Sequence, residues 1–174
     1  MQRPQLEHVI RAAAGITGAK EFVIIGSQAV LGQFPNAPEE LLISVEADIF
    51  SPRSPADADL IDGSIGEGSP FHQTFGYHAH GVGEETAILP AGWKDRLVLI
   101  RNENTGGGTG LCLEVHDLAV SKLVAGREKD LDFIRALLHH RLANRDLIRD
   151  RLHVTPISPE RHDLCLARLN RCPQ

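Results

Sequence analysis

Two carboxylates stand two residues apart in the stretch LLISVEADIFSPRSP, residues 41–55: Glu46 and Asp48. The run alternates like a strand. Ile43, Val45, Ala47 and Ile49 fall on one face, and Ser44, Glu46, Asp48 and Phe50 on the other. Two residues of strand rise put the acids about 6–7 Å apart. So placed, they repel each other unless a cation or a hydrogen-bond donor lies between them. A hard divalent cation such as Mg2+ takes one or two carboxylates and completes its shell with substrate phosphates. A half-exposed strand with an acidic outer face explains the same triplet without a metal.

A second feature precedes the acids. The run EFVIIG, residues 21–26, is apolar and β-branched, and it ends at Gly26-Ser27 before a helical pattern, SQAVLGQF. A glycine there lets a phosphate approach the backbone. A helix beginning at Ser27 would add free N–H groups, a favourable dipole and a hydroxyl. One element could hold a triphosphate and the other its metal.

A third lies downstream, in KLVAGREKDLDF, residues 122–133. On one continuous helix, Lys122, Lys129 and Phe133 share a side, while Arg127 falls inside the apolar stripe of Val120, Leu123, Val124, Leu131, Ile134 and Leu138. An arginine on a core face needs an acid or phosphate partner, or must snorkel out. Asp48, Glu114 and Asp117 are the candidate acids, and a nucleotide phosphate is the functional alternative. Asp130 could join a surface network with Lys129 and Arg127.

Strand, Gly-Ser, helix and then a strand with two alternate acids resembles the nucleotidyltransferase fold of DNA polymerase β-like enzymes. The likeness is greatest to small bacterial members, including aminoglycoside and toxin-system nucleotidyltransferases. The segment around Lys122 is similar to one in the abortive-infection type, where a lysine and an aspartate from a helix line the nucleotide cleft. The resemblance implies an α+β fold, with a mixed β-sheet flanked by helices and a C-terminal helical bundle after it. It implies a nucleoside triphosphate substrate with Mg2+ or Mn2+, and an RNA, protein or small-molecule acceptor. Glu46 and Asp48 would hold metal, and Glu114 and Lys122 would complete the catalytic set. Gly26, Ser27, Arg127, Lys129 and Asp130 would bind the nucleotide.

The chain departs from that pattern in three places. Glu46 stands where the family has aspartate, and its extra methylene shifts the carboxylate by more than an ångström. The span from Ser27 to Glu46 is long and contains Pro35 and Pro38. The third acid is expected on a later strand, and Glu114 in LCLEV is its candidate. The glutamate leaves open a fold without the chemistry: a regulatory module, a toxin-antitoxin component, or a partner in a homodimer or complex.

Nine histidines invite a metal reading of their own. His78 and His80 form His-x-His on one strand face, with His72 nearby and His116 or the Glu46–Asp48 pair as further donors. Exposed or hydrogen-bonded histidines are the plain alternative. TGGGTG, residues 105–110, lacks the lysine and spacing of a phosphate loop and reads as a hairpin turn.

The elements that must position these residues follow from periodicity. Leu6, Val9, Ile10 and Ala13 mark an N-terminal helix between Pro4 and Gly18. A strand is expected near residues 42–50 and a helix after Ser54 as N-cap. β-like runs should follow between Phe71 and Arg101, and another strand at LCLEV. From Asp117 the pattern is helical, with caps at Asn144 and Ser158 and Pro159 in the first turn. We expect a nucleotidyltransferase-like unit over 1–116 and a helical unit over 117–174. At 174 residues and a net charge of −5, the chain can bury its own core and offers no general basic surface to nucleic acid. Three scattered cysteines make no disulfide framework. No apolar run reaches the ~18 residues of a membrane span, and the N-terminal stretch has no signal-type apolar region, so a cytoplasmic protein is expected.

Overall fold

A five-stranded mixed sheet organises the computed structural model, which describes residues 1–172. The last two residues of the expected 117–174 unit lie outside that range. The strands are β1 (Glu21–Ile24), β2 (Glu46–Phe50), β3 (His78–Gly81), β4 (Val98–Ile100) and β5 (Thr109–Cys112), in the order β3-β2-β1-β5-β4. β1 pairs antiparallel with β2 and parallel with β5; β2 and β3 are parallel, β4 and β5 antiparallel. Helices α1 (Arg3–Thr17), α2 (Asp57–Ile65) and α3 (Pro70–Phe75) belong to the first part of the chain. Helices α4 (Val115–Ala125), α5 (Glu128–His139), α6 (Arg145–His153) and α7 (Pro159–Arg171) follow the last strand. The α+β architecture expected from the sequence is present.

α1 packs on β5 and on α2, and α2 lies along β3. Leu6 and Ile10 of α1 are fully buried with Phe22, Ile24 and Ile49 of the sheet. The same apolar cluster continues through Leu118 and Leu123 to Cys165 and Leu169 of α7. Asn144 and Ser158 cap α6 and α7 through their side chains, as their types require.

Local competition changes several expected elements. Residues 27–32 form a six-residue 3-10 turn with Gly26, not Ser27, at its N-cap. β2 begins only at Glu46, because residues 39–41 form another 3-10 turn and the Met1 amino group takes the carbonyls of Leu42 and Ser44. Ile43 is therefore 80% exposed, and of its presumed face only Ala47 and Ile49 are buried. Ser54 precedes the N-cap of α2, which is Ala56. Phe71 lies in α3, started by the Ser69 cap and Pro70, and residues 84–86 form a 3-10 turn instead of a strand. β5 ends at Cys112, so Glu114 sits past it as the N-cap of α4.

The long helix from Asp117 is two helices. Gly126 ends α4 in the left-handed region, φ 67°, donating its N–H to the Lys122 carbonyl. Arg127 then occupies the N-cap of α5, and the Asp130 carboxylate accepts its N–H. The break removes Arg127 from any apolar stripe; its side chain is 63% exposed.

Candidate functional site

The antiparallel register of β1 and β2 builds one corner of the site. Ile24 lies opposite Ile49, and the Ile25 N–H donates to the Asp48 carbonyl at 3.1 Å. The chain leaves the sheet at Gly26, directly beside the Asp48 side chain. A Cβ on residue 26 would overlap the Asp48 carboxylate. The φ of Gly26, −80°, is open to any residue, so the glycine is needed here for space.

The parallel pairing of β2 and β3 supplies the next groups. It sets Glu46 opposite His78 and Asp48 opposite His80. His80 Nδ1 lies 3.1 Å from Asp48 Oδ1, and His78 Nε2 lies 3.4 Å from Glu46 Oε2. One ligand atom each from Glu46, Asp48 and His80 lies within 4.8 Å of the others. His78 is buried beside this group, with no hydrogen-bond partner on Nδ1.

Electrostatics bear the strain of two acids side by side. Burial, and then the Glu46 charge, push the Asp48 carboxyl above its ordinary range against the pull of His80 and Lys122. For His80 burial works downward, but the hydrogen bond and charge of Asp48 prevail and raise it. A cation between these groups would relieve the repulsion.

The α4–α5 corner forms the facing wall. Lys122 Nζ donates to Ser27 Oγ at 3.0 Å and to Asp130 Oδ1 at 3.2 Å, and it stands 4.4 Å from the centre of the Phe133 ring. Burial lowers the Lys122 ammonium, with Asp130 opposing. Asp130 is fully buried. It also accepts from Arg127 Nε at 2.7 Å and Nη2 at 3.2 Å. Burial pushes its carboxyl up, yet Arg127 and Lys122 outweigh that and hold it below the ordinary range. Its hydrogen bonds raise the Arg127 guanidinium in turn.

Between the two walls lies a cleft of about 1140 Å3. That lies just above the roughly 300–1000 Å3 range of a small-molecule pocket. Gly26, Ser27, Glu46, Asp48, Lys122 and Arg127 line it, and so do His80 and Lys129. Asp130 lies behind this lining and holds Lys122 and Arg127 in place.

Glu114 is not among the lining residues. Its carboxylate accepts the His116 and Asp117 N–H groups and pairs with His116 Nδ1 at 2.5 Å. The expected partners of Arg127 are also otherwise engaged: Asp117 is held by Arg96 at 2.8 and 3.0 Å, and Asp130 takes Arg127 instead. The histidines separate. His80 joins the two acids, the His72 ring lies against His78, and His116 accepts the Asn144 N–H. Thr86 and Ala87 also reach the cleft, and nothing in the sequence marked them, because a loop carries them there.

No helix among the described residues is long and apolar enough to cross a membrane. No curated protein and no solved structure matches the chain. A family model covers residues 4–168, which includes the Gly-Ser corner, the paired acids and the α4–α5 wall, and its description is nucleotidyltransferase of unknown function (DUF6036); the chain belongs to that family.

Proposed function

We propose that the cleft binds a nucleoside triphosphate with a divalent cation, Mg2+ or Mn2+, and transfers a nucleotide to an acceptor hydroxyl on RNA, protein or a small molecule. The observation that carries this reading is the position of Glu46 and Asp48 beside the Gly26–Ser27 corner, across one cleft from Lys122 and Arg127. The donor set fits a divalent cation: two carboxylates with one of them repelled by the other, and a glycine at position 26 that leaves room for the Asp48 carboxylate beside the corner. When bound, the cation neutralises phosphate charge.

The remaining roles belong to the chain. The turn after Gly26 is too short for a useful helix dipole, so the anion-holding groups are the Ser27 hydroxyl, the Lys122 ammonium and the Arg127 fork. Asp130 keeps both cations aimed into the cleft, and Lys129 adds positive charge to its lining. In the transfer, the acceptor oxygen bonds to the α-phosphorus, the bond to the bridging oxygen breaks, and pyrophosphate leaves. The acceptor proton passes to solvent through the open cleft. Glu114, engaged as a helix cap, has no part in this scheme.

Thermal unfolding tests the reading. A saturating nucleoside triphosphate with Mn2+ or Mg2+, at about 100 times its Kd, stabilises by about 2.7 kcal/mol. That raises Tm by roughly 5–10 °C in a domain of this size. Asp48→Asn should remove the shift. No shift with ATP, CTP, GTP or UTP overturns the proposal and favours a binding module without chemistry.

A further inference from the structure

We infer that His80 is the third protein ligand of the cation, and that this makes the site selective for Mn2+ over Mg2+. The inference rests on the nucleotide–cation reading above and names the metal and ligand set within it.

The sheet register produces the set. β2 and β3 are parallel, so the alternate positions 46 and 48 face the alternate positions 78 and 80. Two carboxylate–imidazole pairs therefore stand side by side on one surface. They are not equivalent. His78 is buried and lies on Glu46, outside the cleft lining, whereas His80 lines the cleft with 49% of its side chain exposed. Only the second imidazole can exchange its contact with Asp48 for a contact with a ligand in the cleft.

The spacing suits a shared ion. His80 Nδ1 and Asp48 Oδ1 are 3.1 Å apart. Adjacent vertices of an octahedron with bonds of about 2.1 Å are about 3.0 Å apart, and opposite vertices about 4.2 Å. The three ligand atoms lie within 4.8 Å of one another, so a pair at that limit closes by about 0.6 Å to span opposite vertices and by about 1.8 Å to span adjacent ones. Side-chain rotation supplies that.

The chemistry of the third donor sets the preference. A site of carboxylates and phosphates suits Mg2+, which takes oxygen and sheds water reluctantly. An imidazole nitrogen favours transition metals over Mg2+, and of the first-row transition metals Mn2+ is the one best suited to the carboxylate and phosphate oxygens that complete this shell. A neutral nitrogen in place of a third acid also leaves the site less negative, which suits an ion that shares its charge with a triphosphate.

The test uses the full chain with MnCl2 or MgCl2, first without and then with a nucleoside triphosphate. Free Mn2+ is read by electron paramagnetic resonance, and the bound ion by its 14N modulation. Wild type should bind Mn2+ at least about tenfold more tightly than Mg2+ and show imidazole 14N coupling. His80→Gln, which keeps an amide beside Asp48, should lose the coupling and weaken Mn2+ about tenfold while Mg2+ changes little. Its thermal unfolding without metal should match wild type, since the side chain is half exposed. Bound Mn2+ without 14N coupling, or coupling that persists in His80→Gln, overturns the inference and leaves the two-carboxylate site standing. Wild type that binds Mg2+ but no Mn2+ overturns this inference alone; wild type that binds neither ion, with or without a nucleoside triphosphate, overturns the function it rests on as well.

Discussion

The Asp48 carboxylate occupies the space that a side chain on Gly26 would need. The glycine and the acid are thus one unit, made by the antiparallel register that lays Asp48 against the end of β1. Gly26→Ala should fold, because its backbone angles suit alanine, but Asp48 must rotate out of the corner. The variant is expected to bind divalent cation as poorly as Asp48→Asn, with a Tm within a few degrees of wild type. A cation titration of the two variants decides it; wild-type affinity in Gly26→Ala would show that the room left by the glycine is incidental.

Lys122 and Asp130 form a second unit. The ammonium is the only group in the described residues that reaches both Ser27 and Asp130. Lys122→Met keeps an unbranched apolar stem but removes the ammonium that stands over the Phe133 ring, and it leaves Asp130 to Arg127 alone. Loss of a hydrogen bond to a buried charged group costs about 1–3 kcal/mol, or roughly 2–4 °C of Tm per kcal/mol here. Nucleotide-dependent stabilisation should fall as well, even where cation binding is retained. Nucleotide binding unchanged from wild type would reduce the lysine to a structural strut.

Much of this was legible in the sequence, for identifiable reasons. Gly26, Ser27, Glu46, Asp48 and Lys122 were readable because a strand end, a period of two and a resemblance to a motif all depend on local order. Their meeting in one cleft follows from the sheet order. Glu114 was misplaced because LCLEV reads as a strand through residue 115, whereas a carboxylate that can cap α4 ends the strand early. Arg127 was misplaced because helical periodicity runs on through AGRE, and the left-handed preference of Gly126 overrides it. His80 was visible as half of His-x-His, with the Glu46–Asp48 pair and His116 as candidate further donors; which of them it meets depends on the β2–β3 register, which no local pattern encodes.

The α4–α5 turn should be intolerant of side chains. Gly126 has a φ of 67°, and a Cβ there would overlap the Arg168 guanidinium, which is donating to the Leu123 carbonyl at 2.6 Å. Gly126→Ala combines left-handed strain of about 1 kcal/mol or more with displacement of that arginine. We expect a loss of about 1–3 kcal/mol on denaturant unfolding. Because the turn separates Lys122 from Asp130, nucleotide binding should weaken too. A stability equal to wild type would mean that the helices re-form around the added methyl.

Acid stability should depend on Glu7, far from the cleft. Its carboxylate accepts from Asn102 and Asn104 at 2.8 Å and from Arg3 at 2.9 Å, tying α1 to the β4–β5 connection. Burial pushes the carboxyl up, but the hydrogen bonds of Asn104, Asn102 and Arg3 outweigh it and hold it below the ordinary 4.5. A folded-state value below the unfolded one means that the native state favours the ionised form. The stabilisation is complete above pH 4.5 and disappears as pH falls through the lower native value. Glu7→Gln removes the charge at every pH and leaves one acceptor for two amides. It should therefore unfold about 1–2 kcal/mol more easily than wild type at pH 7, with the gap narrowing below pH 4.5 and closing once Glu7 is protonated. Parallel denaturant curves from pH 7 to pH 3 measure the gap directly, and a gap that stays constant across that range would rule out the ionised Glu7 as its source.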